Sequence, residues 1–354
     1  MIFSMKKFIK NFVTFVISAV LVTWLMFGNF VKGAMSVKKL DDGIYYLEYK
    51  GNDGFDKFVE KGGAKDGYGL GAYITHFLSN GFSRVPDIDP QEQDYGCSTL
   101  AVNTPEGGRM MGRNFDWQDC LCIITKVTPK DGYKYISAFN PHFFGFGEDW
   151  KPEGFKNQYL ALSSLFVALD GVNEKGLAVA DLMVGEGETH QNADGKPALT
   201  TTCAIKYLLK NAADVEEAVT LLEGINHHSD VGSLHHLSIS DAEGRSVVVE
   251  WVGERMFVTE TDIVTNHYLC AENFGAGKVE GDNRFEKLAA VRDSLGGCMS
   301  SSSLLEGMSA AWQSWSDATV VDGGTQWTAL FDLTGHSADY IWQRDTTKRF
   351  HFTL

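Results

Sequence analysis

The sequence predicts an α+β fold in which two antiparallel sheets lie between layers of helix. Short apolar runs alternate with tight turns rich in Gly, Pro and Asp, the pattern of successive hairpins. Segments with helical periodicity are gathered in pairs, as expected where helices cover the outer faces of packed sheets. With 354 residues the chain can bury a large core in one or two domains. No internal repeat or low-complexity tract interrupts it.

The first 34 residues differ from the rest. Lys6, Lys7 and Lys10 precede an uncharged, mostly apolar stretch from Asn11 to Val31. This is the form of an export signal, although a cleavage site ending at Ala34 would place Lys32 where a small residue is preferred. The stretch is also long enough to span a bilayer, so the two expectations are a cleaved signal and membrane attachment through residues 11–31. Either places the remainder outside the cytoplasm, secreted or membrane-anchored. Without residues 1–34 the net charge deepens from −15 to −19, because they contain four Lys and no acid. Such a charge, with no basic stripe, speaks against nucleic acid as a partner.

Residues 35–96 read as a propeptide or an N-terminal subdomain. Gly43–Tyr49 alternates as a strand does, and Ile74–Leu78 fits strand or helix. Residues 96–117 then form the stretch on which the function depends. Two apolar runs flank Pro105-Glu106-Gly107-Gly108, a hairpin turn. Pairing Thr104 with Arg109 sets Cys97 opposite Asp116 and sends Arg113 to the other face, from which a bulge must re-aim it if it joins a site.

Lys134–Ala138 reads as a strand, and the aromatic-rich Phe139–Trp150 as a loop that caps the core or walls an apolar pocket. Leu165–Ala180 reads as two strands around the turn Asn173–Gly176. Two helices follow, over residues 200–211 and 214–223. The second has Asp214 as N-cap with Glu217 three residues on, and ends at Gly224. His227, His228, His235 and His236 fall in adjacent pairs, and Leu234–Ser240 looks like a strand that sends His235 and His236 to opposite faces. That spacing does not suit a metal, so no metal and no cofactor is expected. Arg245–Trp251 reads as the antiparallel partner of that strand. A further strand ends at Val264, a helix starts near Ser300, and 327–332 and 349–352 are closing strands. Of the six cysteines, the five besides Cys97 read mainly as packing residues, since spacing reveals no pairing.

Several of these segments together resemble the N-terminal-nucleophile linear amide hydrolases. That group includes the choloylglycine (bile salt) hydrolases, acid ceramidase, N-acylethanolamine amidase and the penicillin acyltransferases. The matching features are Cys97 beginning a strand, Gly112-Arg113-Asn114-Phe115-Asp116, the run Gly171-Val172-Asn173-Glu174-Lys175-Gly176-Leu177-Ala178-Val179, Thr265-Asn266, and Asp282-Asn283-Arg284-Phe285. The resemblance covers essentially all of 97–354 and implies a four-layer αββα sandwich. It implies Cys97, Arg113, Asp116, Asn266 and Arg284 as the catalytic set, with a small-molecule N-acyl amide as substrate and no cofactor.

The chemistry implied is amide hydrolysis through a thioester on Cys97, after self-cleavage between Gly96 and Cys97. The freed α-amino group, with an ordinary pKa of about 7.7–8.0, would act as base to its own thiol. Asp116 would orient that amine, Arg113 would favour thiolate, Asn266 would meet the oxyanion, and Arg284 would complete the charge network. In bile salt hydrolases a second oxyanion Asn follows the Asn-Glu-Lys-Gly turn. An ungapped alignment puts Met183 there, which has no donor, so conjugated bile salts are not expected as substrates. An acyltransferase using the same site and a surface-anchored binding protein without activity are the alternatives. A papain-like protease lacks its local signature here.

Overall fold

The computed structural model describes residues 27–79, 96–147, 149–229, 232–317 and 320–354. Helix α1 is described over 27–35. It is followed by β1 (Lys38–Asp41), β2 (Ile44–Gly51), α2 (Phe55–Glu60) and α3 (Gly67–Ser79). After the next described residue, Gly96, come β3 (Gly96–Asn103), β4 (Arg109–Gln118), β5 (Cys122–Pro129), β6 (Tyr135–Phe139), α4 (Gly154–Leu160), β7 (Asp170–Asn173) and β8 (Ala178–Glu186). The middle of the chain gives β9 (Ala198–Thr200), α5 (Thr201–Asn211), α6 (Val215–Glu223), β10 (Asn226–His228), β11 (Ser233–Ser240), β12 (Ser246–Val252), β13 (Arg255–Glu260) and β14 (Ile263–Thr265). The chain closes with α7 (Arg284–Ser294), α8 (Ser301–Ala310), β15 (Ser314–Asp317), β16 (Val320–Asp332), β17 (Ser337–Trp342) and β18 (Arg349–Thr353).

Two large sheets result. One runs β1-β2-β5-β6-β7-β8-β11-β12-β13, and the other β14-β3-β4-β16-β17-β18 with β15 added on β16. Apolar residues from both sheets meet between them, among them Met111, Phe115, Ile124, Leu182, Val248, Trp327 and Trp342. The outer face of the first sheet packs on α5 and α6 through Leu208, Leu209, Val215 and Leu222. The outer face of the second packs on α7 and α8 through Leu288, Leu304 and Met308. This is the predicted order of layers, helix, sheet, sheet, helix.

Local chemistry places the elements. Asp214 caps α6 by accepting from the Glu217 N–H, and Glu217 accepts in turn from Ala213, one residue earlier than in the simplest capping box. Asn173 makes the β7–β8 turn by accepting from Lys175 and Leu177. Its amide donates to the carbonyls of Leu209 and Ala212, tying the turn to the end of α5. The Asn-Glu-Lys-Gly motif is thus a structural joint.

Two expectations change. Leu165–Leu169 is not a strand: the chain there leaves a 3-10 turn (Ala161–Leu165) and begins pairing only at Asp170. These residues are fully buried, and a uniformly apolar run carries no period by which strand can be told from coil. Ile74–Leu78 takes the helical option, inside α3.

The N-terminal part shares the core of the body. β2 pairs in parallel with β5, and Tyr45, Leu47, Tyr49, Phe55 and Phe58 are buried in the same cluster as α5. Phe30 of α1 lies 5.6 Å from the ring of Tyr49 and 5.3 Å from that of Phe77, and Ala34 is buried. Of the export segment, residues 1–26 lie outside the described residues. Among the described residues no helix is long and apolar enough to cross a membrane.

Candidate active site

Strands β3 and β4 pair without a bulge, matching Gly96 with Asp116, Cys97 with Phe115, Thr99 with Arg113 and Asn103 with Arg109. The register predicted from the turn was one residue off. The turn takes five residues, with Thr104 donating to the Gly108 carbonyl at 2.8 Å and Gly107 at φ 82°, a conformation open to Gly. A slip of one residue exchanges the faces of a strand. Arg113 therefore shares the face of Cys97 with no bulge to re-aim it, and Asp116 turns to the opposite face beside Gly96.

On the face between the sheets, Cys97 is 3% exposed and packs among Phe115, Trp117 and Met183. The ring of Phe143, from the aromatic stretch, meets Trp117 at 4.9 Å and Phe115 at 6.3 Å, edge to face. Arg113 is fully buried over the Phe115 ring, with its Nε 3.1 Å from Asp170 Oδ2 and its Nη2 donating to the Asp181 carbonyl. Asp170 also accepts from Trp327 Nε1 and the Tyr340 hydroxyl, so one buried carboxylate joins both sheets beneath the guanidinium. The remaining Arg113 nitrogen, Nη1, is buried without a protein acceptor.

On the other face, Arg284 enters from the start of α7. Its Nη1 donates to Asp116 Oδ2 (2.8 Å) and to the Cys97 carbonyl (3.1 Å), and its Nη2 to Asn266 Oδ1 (2.8 Å). Asp282 holds the same guanidinium from behind through Nε and Nη2, and Thr325 donates to Asp116 Oδ1 at 2.6 Å. Asn266 follows β14, which pairs Thr265 with Ser98 and so carries the next residue to the head of β3. Its Oδ1 accepts from the Cys97 N–H and its Nδ2 donates to the Met183 carbonyl, each at 2.6 Å. The place where a donor side chain was missing thus supplies a backbone acceptor that orients Asn266.

Burial pushes the Cys97 thiol up to about 11, with Arg113 pulling the other way and Asp116 and Asp181 adding to the rise. In the continuous chain the group is a thiol at neutral pH. Burial also raises Asp116, while Arg284 and Thr325 work against that shift.

The structure brings Cys97, Arg113, Asp116, Asn266 and Arg284 together around one peptide bond. Sequence reasoning missed the residues that hold them: Asp170 and Asp181 for Arg113, Asp282 and Thr325 for the Arg284–Asp116 pair. Asp170 had a signal, a lone acid closing an apolar run, where a charge persists only with a buried partner. The histidines are paired with other groups: His235 with Asp181, His236 with Glu250, His228 with His190, and His227 with Thr201 while stacked on Trp251. Among the described residues no group of three or more His, Cys, Asp or Glu side chains could hold a metal ion.

Two facing antiparallel sheets between helical layers, with a cysteine heading an inner strand, make the sandwich of N-terminal-nucleophile hydrolases. A solved structure of a variant of conjugated bile acid hydrolase from Clostridium perfringens shares this fold. Its TM-score is 0.53 at 19% identity, covering 73% of this chain and 92% of that one. Residues 97–268 match the linear amide C–N hydrolases of the choloylglycine hydrolase family, and the chain belongs to that family. A bile salt hydrolase/transferase from the same organism is 26% identical over 179 residues, 47% of this chain and 51% of the relative. A penicillin V acylase from Pectobacterium atrosepticum is 35% identical over 101 residues, 25% of this chain and 26% of that protein. The chain thus matches about half the length of the first curated relative and a quarter of the second.

Proposed function

We propose that the protein hydrolyses the linear amide bond of N-acylated small molecules through a thioester on Cys97, after cutting its own chain between Gly96 and Cys97. The observation that carries this reading is the convergence on one strand-leading cysteine of Arg113, Asp116, Asn266 and Arg284, in a family of linear amide hydrolases. In the self-cleavage, Cys97 Sγ adds to the Gly96 carbonyl carbon, the C–N bond breaks and the nitrogen takes the thiol proton. Water then cleaves the thioester, leaving a Gly96 carboxylate and a free Cys97 amine. In turnover that amine takes the thiol proton as Sγ attacks the substrate carbonyl, and passes it to the leaving amine; water releases the acid from the thioester.

The neighbours divide the remaining work. Asn266 and Arg284 fix the atoms of Cys97 and supply donors as charge develops on the oxyanion. Asp116 balances Arg284 beside the new amine, and Arg113, with a free buried donor, favours thiolate. Phe115, Trp117 and Phe143 support an apolar acyl group, and Met183 argues against conjugated bile salts. Transfer of the acyl group to an amine would use the same intermediate. The basic and apolar segment at 1–34 supports export, with cleavage or retention as an anchor.

Intact mass and N-terminal sequencing of wild type and Cys97→Ala test the reading. Wild type should yield Cys97–Leu354, 258 residues, while Cys97→Ala stays whole; an active, uncut wild-type chain would refute it. On N-acyl amines of graded chain length, kcat/KM should rise severalfold or more per methylene, at roughly 1 kcal/mol each. A flat series would exclude the apolar acyl site.

A further inference from the structure

The adjacent histidines of β11 have no part in the mechanism above, yet each holds a buried carboxylate that touches the site's scaffold. β11 lies between β8 and β12, and alternation along the strand sends His235 and His236 to opposite faces of the sheet. His236 Nδ1 meets Glu250 Oε1 at 3.1 Å, and both side chains are fully buried. The same carboxylate accepts from two consecutive backbone groups, the Leu269 N–H at 2.8 Å and the Cys270 N–H at 2.6 Å. These lie three and four residues beyond Asn266, in the irregular turn that carries it. Burial works against the charge of Glu250, but His236 and the two N–H groups hold its carboxyl below the usual range.

On the other face, His235 Nδ1 meets Asp181 Oδ1 at 2.9 Å, again with both side chains almost wholly buried. The backbone carbonyl of Asp181 accepts from Arg113 Nη2, and that of Met183, two residues on, accepts from Asn266 Nδ2. Between β8 and β11 the register shifts at this place, so that His235 pairs with Met183 while Leu234 pairs with Gly185. The His235–Asp181 contact spans the strands beside that irregularity, where ladder hydrogen bonding alone fixes the carbonyls least well.

We propose that His236 with Glu250 are positioning residues for Asn266, and His235 with Asp181 are positioning residues for Arg113. The proposal rests on the roles given to Asn266 and Arg113 above. Buried ion pairs contribute little net stability compared with apolar packing, so their presence at two faces of one strand calls for another use. Here that use is geometric: a displacement of about 1 Å at a reacting centre can lower a rate about a hundredfold.

Double-mutant cycles on the full chain test it, reading the self-cleavage rate together with kcat and KM of the cleaved enzyme. Glu250→Gln keeps the shape but replaces one acceptor oxygen with a donor, so the Leu269–Cys270 segment must shift. It should slow self-cleavage and kcat about tenfold or more with KM within about twofold. Combined with Asn266→Ala it should add less than about twofold, and combined with Arg113→Lys it should multiply. His235→Asn should show the reverse pattern, coupled to Arg113→Lys and independent of Asn266→Ala. If Glu250→Gln does not fold, His236→Gln leaves Glu250 on both N–H groups and should give a smaller loss, about threefold, with the same coupling. Wild-type rates in these variants, or losses that multiply within each assigned pair, would overturn the positioning roles. Wild-type kcat in Asn266→Ala would instead overturn the role of Asn266 itself.

Discussion

Gly96→Ala separates the formation of the enzyme from its catalysis, because residue 96 is absent from the chain that begins at Cys97. A methyl group at this position would stand 2.7 Å from Arg284 Nη1, 2.9 Å from Asp116 Oδ2 and 3.2 Å from Asp116 Cβ. Non-bonded carbon contacts settle at about 3.5–4.0 Å, so its neighbours must yield by the better part of an ångström. Neither can swing aside freely. Arg284 is held at Asp282, Asn266 and the Cys97 carbonyl, and Asp116 at Thr325. Overpacking of this kind costs about 1–3 kcal/mol, and it falls on the groups proposed to position the scissile bond. Self-cleavage should slow by about ten- to a hundredfold, since each 1.36 kcal/mol on a barrier is a factor of ten. A time course by intact mass, following 354 residues to 258, measures it. The chain that does form has the wild-type sequence and should have wild-type kcat/KM per free Cys97 terminus. Cleavage at the wild-type rate would refute the steric account, and a slow mature enzyme would refute the separation.

Removing the carboxylate beneath Arg113, as in Asp170→Ala, should destabilise the fold by about 3–5 kcal/mol in chemical denaturation, because a fully buried guanidinium loses its ion-pair partner. A change below about 1 kcal/mol would show that the pair does not carry this charge. In a cleavage-slowed chain, iodoacetamide should modify Cys97 slowly at neutral pH and faster as pH climbs towards about 11, since the raised pKa keeps the thiol protonated below that value; rapid labelling at pH 7 would contradict it. After self-cleavage the N-terminal fragment should stay bound through size exclusion without denaturant. Tyr45, Leu47, Tyr49, Phe55 and Phe58 are buried in the common core, at roughly 1.5–3 kcal/mol each. Its loss on the column would count against that packing as the hold.

The sequence by itself determined the layers and the residue types of the site. Local patterns suffice for that: a hairpin turn between apolar runs, the Asp214 and Glu217 cap, and Cys97, Arg113, Asp116, Asn266 and Arg284 at motif spacings. The facing of Arg113 and Asp116 was decided by the tertiary structure. Whether the Thr104–Gly108 turn spans four residues or five depends on Arg109 and Thr104 settling against β3, β4 and Thr334, and one residue reverses both side chains. The buried acids were equally beyond sequence reading. Asp170 and Glu250 are charges surrounded by apolar residues, stable only because Arg113, His236 and backbone N–H groups arrive from other strands. The integration of residues 27–79 was decided at the same level, since β2 finds its parallel partner β5 more than seventy residues further on, and no local pattern encodes a partner at that distance.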